Sequence, residues 1–355
     1  MTEGQSAATL NVEPSPRAGE VLPYSRRMQI RREVQQAAVA DEVSAIVAVV
    51  RPILIGLLYA QKGQVVEEAG GHEHLKLFML ARVRRAGDGD IGICFEYAVH
   101  EAIGRRDPAV CGRVADALTA CRIPGDAMAS ILFGAEKTGA LSLVDTASAL
   151  LTPDSILLYG TAGRPVKLRK HISAIATAFR TRDSDALPRS IRGLWKADLF
   201  TGNAEVDKWI GTTLKLHRQD LEGARGLRVG IVPSRQGASD AVVKDDNKNL
   251  VICPLPYDYS FMQVFYEAWE VVASFLSNDA RVPAPHFLAT PYQRQVARFL
   301  EARREFTVLE VVEGLAPLAQ PHLLETDPIS VSLVERRTPT ETAAVLAPVP
   351  MRPVR

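Results

Sequence analysis

Apolar and polar positions follow a helical period in the first half of the chain and a period of two in the middle. From Arg26 to Ala60 the residues favour helix, first with a polar face and then, over Ser44 to Ala60, almost wholly apolar. That run is short for a membrane span and carries Arg51 and Pro52 inside it, so it reads as a buried helix. Glu67 to Arg85 holds His72 and His74 ahead of an apolar segment, Leu75 to Val83; the histidines read as a solvated helix start rather than a metal pair. Turn residues at 87–90 precede a helix over Ile91 to Gly104, with Phe95, Ala98, Val99, Ala102 and Ile103 as its buried stripe. Residues 105–160 alternate apolar with small positions and read as helical.

Between Leu194 and His217 the period changes. In a first strand Trp195, Ala197 and Leu199 share one face, with Lys196 and Asp198 on the other. In a second, Ile210, Leu214 and Leu216 oppose Trp209, Thr213 and Lys215. If both apolar faces pack on one core, Asp198, Thr213 and Lys215 gather on the far side of the sheet. Strands are also predicted over Gly226 to Pro233 and Leu250 to Leu255, followed by an amphipathic helix over Ser260 to Leu276 and another from Pro291 to Glu305. The expected fold is α/β: a central mixed sheet flanked by helices, with a helical N-terminal region and an inserted helical segment. The expected segments are a flexible arm (1–25), a helical region (26–86), the core (87–280, insertion at about 105–160), a helical extension (281–327) and a disordered tail (328–355).

Charge adds a local feature to a neutral whole. Lys and Arg number 42 against 41 Asp and Glu, so no global field draws the protein to nucleic acid. Yet Arg164, Lys167, Arg169, Lys170, Arg180, Arg182, Arg189, Arg192 and Lys196 crowd one segment with only Asp183 and Asp185 against them. Such a run, leading into the strand of Asp198, has the pattern of phosphate contacts; a solvated helix face is the plainer reading. Cys94, Cys111, Cys121 and Cys253 lack C-x-x-C spacing, which argues for a reduced cytoplasmic chain and against zinc. The N-terminus shows no signal-peptide pattern. Gly104 stands where H-E-x-x-H needs its second histidine, and the glycines at 133–142 lack the G-K-[ST] ending of a P-loop.

The pattern Asp198, Thr213-x-Lys215 resembles the PD-(D/E)XK nuclease superfamily, the restriction-endonuclease-like fold. Asp198 matches the family's strand-end Asp and Lys215 its Lys, while Thr213 stands where that family usually has an acid. The resemblance implies a divalent-metal-dependent DNA endonuclease, in restriction or anti-phage defence. It would use Mg²⁺ or Mn²⁺ held by Glu96, Asp198 and the Leu214 carbonyl, with Lys215 positioning water and Thr213 binding a water of the metal. The family's helix Glu is matched to Glu96, with Glu136 next; as a plain surface residue Glu96 would pair with His100, one turn away. Asp207 is the spare carboxylate for the role Thr213 lacks. DNA would lie on Arg164, Lys167, Arg169, Lys170, Arg189, Arg192 and Lys196. A homodimer, or partner proteins of a defence system, fits this reading, and a membrane does not. Two alternatives stay open: a non-catalytic DNA-binding or assembly protein on the same fold, and a protein-interaction module on the helical half.

Overall fold

The computed structural model describes residues 43–61, 63–82, 90–132 and, apart from short interruptions, 152–319. All of these lie in one compact unit, residues 42–355. The predicted arm, the glycines at 133–142 with Glu136, and the tail fall outside the described residues, as do Trp195, Arg169, Lys170, Arg182 and Arg189.

Helix α1 (Val43–Ala60) is long and apolar enough to cross a membrane by length and composition, but two thirds of it is buried inside the fold. Val50, Ile53, Leu54, Leu57 and Leu58 are enclosed in the main core. Gly56 lets a neighbouring helix approach: a Cβ there would stand 3.1 Å from the Cα of Cys94. The one charge in the apolar run, Arg51, is held rather than exposed. It pairs with Glu101 and donates from Nε to the Val312 carbonyl at 3.1 Å. After α2 (Gly63–Ala69), His72–His74 form a 3₁₀ turn in which the His72 ring packs on Tyr59 at 6.0 Å.

Helix α3 (Asp90–Gly104) buries the predicted stripe completely. An Asp-Pro pair starts α4 (Pro108–Ala120): the Asp107 carboxylate accepts the amides of Ala109 and Val110 at 3.0 and 3.1 Å, and Pro108 fills the first turn. The expectation of helix through residue 160 fails beyond this point. Met128–Leu132 is strand β1 and Ile156–Tyr159 is strand β2. Short apolar runs bounded by turn residues fit either element, and pairing with other strands decided these two.

Strands β3 (Arg164–Lys167), β4 (Leu199–Asn203), β5 (Lys208–Leu214), β6 (Arg228–Pro233), β7 (Val243–Asp245) and β8 (Leu250–Leu255) complete a mixed eight-stranded sheet. Its main path runs β1-β4-β5-β6-β8-β7, with β2 paired to β3 and β5. Strand β5 is the hub. Along one edge it pairs antiparallel with β4; along the other it pairs parallel, first with β2 over residues 208–210 and then with β6 over 211–214. The first predicted strand is displaced: it begins at Leu199, and Phe200–Asn203, expected as loop, lie inside it. Gly202 is required there, because a Cβ would overlap the Lys208 carbonyl and the Trp209 ring.

Helix α5 (Ile172–Thr181) lies within the basic segment, and α6 (Ser260–Ser277), α7 (Pro291–Ala302) and α8 (Val308–Ala319) follow the sheet. A capping box starts α7, where the Thr290 hydroxyl accepts the Gln293 amide at 3.2 Å and the Gln293 side chain accepts the Thr290 amide at 3.2 Å. Residues of α1, α3, α4, α6, α7 and α8 share one core with Leu132, Leu199, Ile210, Leu214, Val229, Ile231, Val251 and Cys253 of the sheet. Alternation therefore sends Thr213 and Trp209 to the other face, and the registers Gly211↔Arg228 and Thr213↔Gly230 put Arg228 there too.

Candidate functional site

On that second face the ends of β4 and β5 meet in a cleft of about 240 Å³ lined by Lys196, Asp198, Thr213, Lys215, Asp220, Glu222 and Arg228. The alternation that separated Asp198 from Leu199, and Thr213 from Leu214, brings the acid, the hydroxyl and the amine together. Asp198 is only 4% exposed. Its Oδ2 accepts the Leu214 amide at 2.8 Å and the Thr213 hydroxyl at 3.1 Å, while its own amide donates to the Thr212 carbonyl at 2.8 Å. The Lys215 Nζ lies 3.8 Å from the same oxygen, and its amide donates to the Ile231 carbonyl at 3.0 Å. With its side chain 39% exposed, Lys215 reaches solvent at the mouth of the cleft while its carboxylate partner stays inside.

Arg228 is a site residue that the sequence reading passed over. It is 1% exposed yet lines the cleft, and its Nη2 donates to the Glu222 carbonyl at 2.7 Å. Its position in an apolar strand, L-R-V-G-I-V, was the available signal: a cation in such a run sits where burial must be compensated. Lys196 pairs with Glu222 across the same cleft.

Other expected residues stand elsewhere. Glu96 is on α3, the helix that packs with Leu199, Ile210 and Leu214 on the opposite face, and it does not line the cleft. Asp207 occupies the β4–β5 turn at the far end of β5, with φ 50°. Burial raises its carboxyl, but hydrogen bonds from Ser155, Thr152 and Trp209 outweigh that and hold it below the ordinary value. Those bonds fasten β2 to the hairpin, so Asp207 cannot supply the acid that Thr213 lacks. Of the basic run, Lys167 is exposed on β3, Arg192 pairs with Asp185 at 3.2 Å, and Arg164 begins β3. His100 is not paired with Glu96 through its Nδ1, which meets the Ser130 hydroxyl at 2.7 Å. Burial, with the Arg51 charge, pushes that imidazole down to about 4.

Among the described residues no group of three or more His, Cys, Asp or Glu side chains could hold a metal ion. The cleft offers one buried carboxylate, Asp198, beside a hydroxyl, three cations and the exposed carboxylates of Asp220 and Glu222. That donor set suits Mg²⁺ only in the form in which substrate phosphate and water supply most ligands, a form Mg²⁺ commonly takes. The fold and the cleft thus define an α/β protein with an acid, a hydroxyl and amines gathered on the face away from its main helical layer. No family model, curated protein or solved structure matches the chain.

Proposed function

We propose that the cleft binds and hydrolyses a phosphodiester of DNA, with Mg²⁺ or Mn²⁺ entering together with the phosphate, as in the PD-(D/E)XK nucleases that the pattern Asp198, Thr213, Lys215 resembles. The observation that carries this reading is the position of Lys215 Nζ, 3.8 Å from buried Asp198 and open to solvent in a cleft also lined by Lys196 and Arg228. Asp198 and the Leu214 carbonyl would hold the ion, which when bound polarises the phosphate and lowers the pKa of water. Glu96, on the helix that covers the opposite face of the sheet, lies outside this site.

Lys215 orients the attacking water and offsets charge that grows on the phosphate oxygens as the bond breaks. Thr213 donates its hydroxyl to Asp198 and so fixes the carboxylate's direction. The basic residues Arg164 to Lys196 would hold the DNA backbone. Four free cysteines, three of them buried, suit a cytoplasmic setting. A role in restriction or anti-phage defence, alone or with partner proteins, extends the same resemblance.

A second reading has its own observation. The Asp198 carboxylate closes the end of the β4–β5 ladder by accepting the Leu214 amide and the Thr213 hydroxyl, and that task needs no metal. On this reading the fold binds DNA or assembles with partners without cutting. Incubating plasmid DNA with the protein in Mg²⁺ and in EDTA separates the two. Mg²⁺-dependent nicking that disappears in Asp198→Asn and Lys215→Ala supports the nuclease. Retained DNA binding without any cleavage supports the second reading, and no binding at low salt removes both nucleic-acid readings, leaving only assembly with partners.

A further inference from the structure

Glu222 is an acid standing among the cations of the cleft. It follows the 3₁₀ turn Arg218–Asp220 in the connection from β5 to β6, and its backbone is anchored from the sheet. The Leu221 carbonyl accepts Lys248 Nζ at 2.9 Å, and the Glu222 carbonyl accepts Arg228 Nη2 at 2.7 Å. Leu221 itself is buried over Gly230, whose missing Cβ leaves it room: a Cβ there would come within 3.0 Å of Leu221 Cδ2. The anchored backbone directs the Glu222 side chain to Lys196, with which it forms an ion pair. The hydrogen bond and charge of Lys196, with smaller contributions from Arg228 and Lys215, hold the Glu222 carboxyl below its ordinary value. One anion thus touches one cation of the cleft and feels the other two.

We infer that Lys196, Lys215 and Arg228 form a phosphate-binding subsite that Glu222 fills in the unliganded protein, so that a nucleic-acid phosphate enters by displacing the Glu222 carboxylate from Lys196. A carboxylate and a phosphate oxyanion accept the same charge-assisted hydrogen bonds, so what holds one in this position can hold the other. The exchange is easy on the protein's side. Lys196 and Glu222 are 51% and 67% exposed, an exposed pair contributes little, and both side chains can turn into water. Arg228, buried and tied to the Glu222 backbone, keeps its place and its charge in the cleft after the swap, and Lys196 is released from its carboxylate. This inference rests on the phosphodiester reading for the source of its ligand but not for the existence of the subsite.

The test uses the full chain, Glu222→Gln, and Glu301→Gln as loss of the same charge on an exposed face of α7. Binding of a short fluorescent duplex is measured by anisotropy in EDTA at low salt. Glu222→Gln is expected to bind about tenfold more tightly than the natural protein, because a unit charge is removed from contact with the phosphate. Glu301→Gln is expected to change affinity at most about twofold, its charge being screened. Equal effects in the two variants, or no gain in Glu222→Gln, would overturn the exchange. Thermal melting with inorganic phosphate covers the case in which no form binds duplex. A rise in Tm larger in Glu222→Gln than in the natural protein then retains the subsite and assigns it to free phosphate, while the nucleic-acid reading falls. No phosphate-dependent rise in either protein sinks the subsite as well.

Discussion

At the scale of single residues, Asp198 accepts the Leu214 amide and, on the proposed function, also holds a metal ion, two roles that substitution can separate. Asp198→Asn keeps an oxygen that can accept the Leu214 amide, so folding should persist while Mg²⁺-dependent cleavage collapses. Asp198→Ala removes the acceptor and leaves that buried amide unmatched, which should cost about 1–3 kcal/mol in a urea titration. Equal stability of the two variants would show that the Leu214 amide does not depend on this carboxylate. His100 offers a pH test. Its imidazole is lowered to about 4 in the folded protein against about 6.5 when unfolded. The unfolded chain therefore takes up a proton first as pH falls, and stability is lost from about pH 6.5 down towards pH 4. The stability difference between the natural protein and His100→Gln should accordingly be largest near pH 7 and shrink by roughly 2–3 kcal/mol at pH 4. A difference independent of pH would mean that His100 takes up its proton as readily in the fold as in the unfolded chain. The sequence placed Asp198, Thr213 and Lys215 on one face by alternation alone. It could not show that Ser130 takes the His100 ring, because that contact joins residues 30 apart in the chain.

At the scale of elements, α1 is a core helix. Ile53→Asp should bury an unpaired charge at a cost of several kcal/mol and yield insoluble protein. Soluble protein with unchanged melting would instead place this face of the helix at the surface. Thr290→Ala should remove the hydroxyl of the α7 capping box and lower stability by about 1 kcal/mol, readable as a drop in Tm. Elements with strong periodicity were legible: α3, β5, β6, β8 and α6 fall within one or two residues of the predicted bounds. The short strands β1 and β2 were not, because runs such as M-A-S-I-L carry no period that separates strand from helix. They are strands because β4 and β5 supply partners for their backbone groups. The predicted first strand slipped for a related reason. Leu199 to Asn203 lack polar alternation since both faces are buried there, and only pairing with Lys208 to Thr212 reveals them.

At the scale of the whole molecule, the chain is nearly neutral, so the proposed DNA binding would depend on local charge. If the basic run contributes phosphate contacts, changing Arg169 and Lys170 together to Ala should weaken binding to all duplexes alike and flatten the salt dependence by roughly one to two log-log units. An unchanged slope would remove those two residues from the interface. Sequence alone determined the fold class, the helix-facing side of β5, and the company of Asp198 with Thr213 and Lys215, because these follow from local periods of 3.6 and 2.0. Tertiary structure alone decided that Arg228 and Glu222 join that cleft, that Asp207 leaves it for Thr152 and Ser155, and that α3 lies on the opposite face. Those outcomes depend on which strands pair, in what register, and on which side a connection crosses. Contacts between distant residues set all three, and no local pattern encodes them.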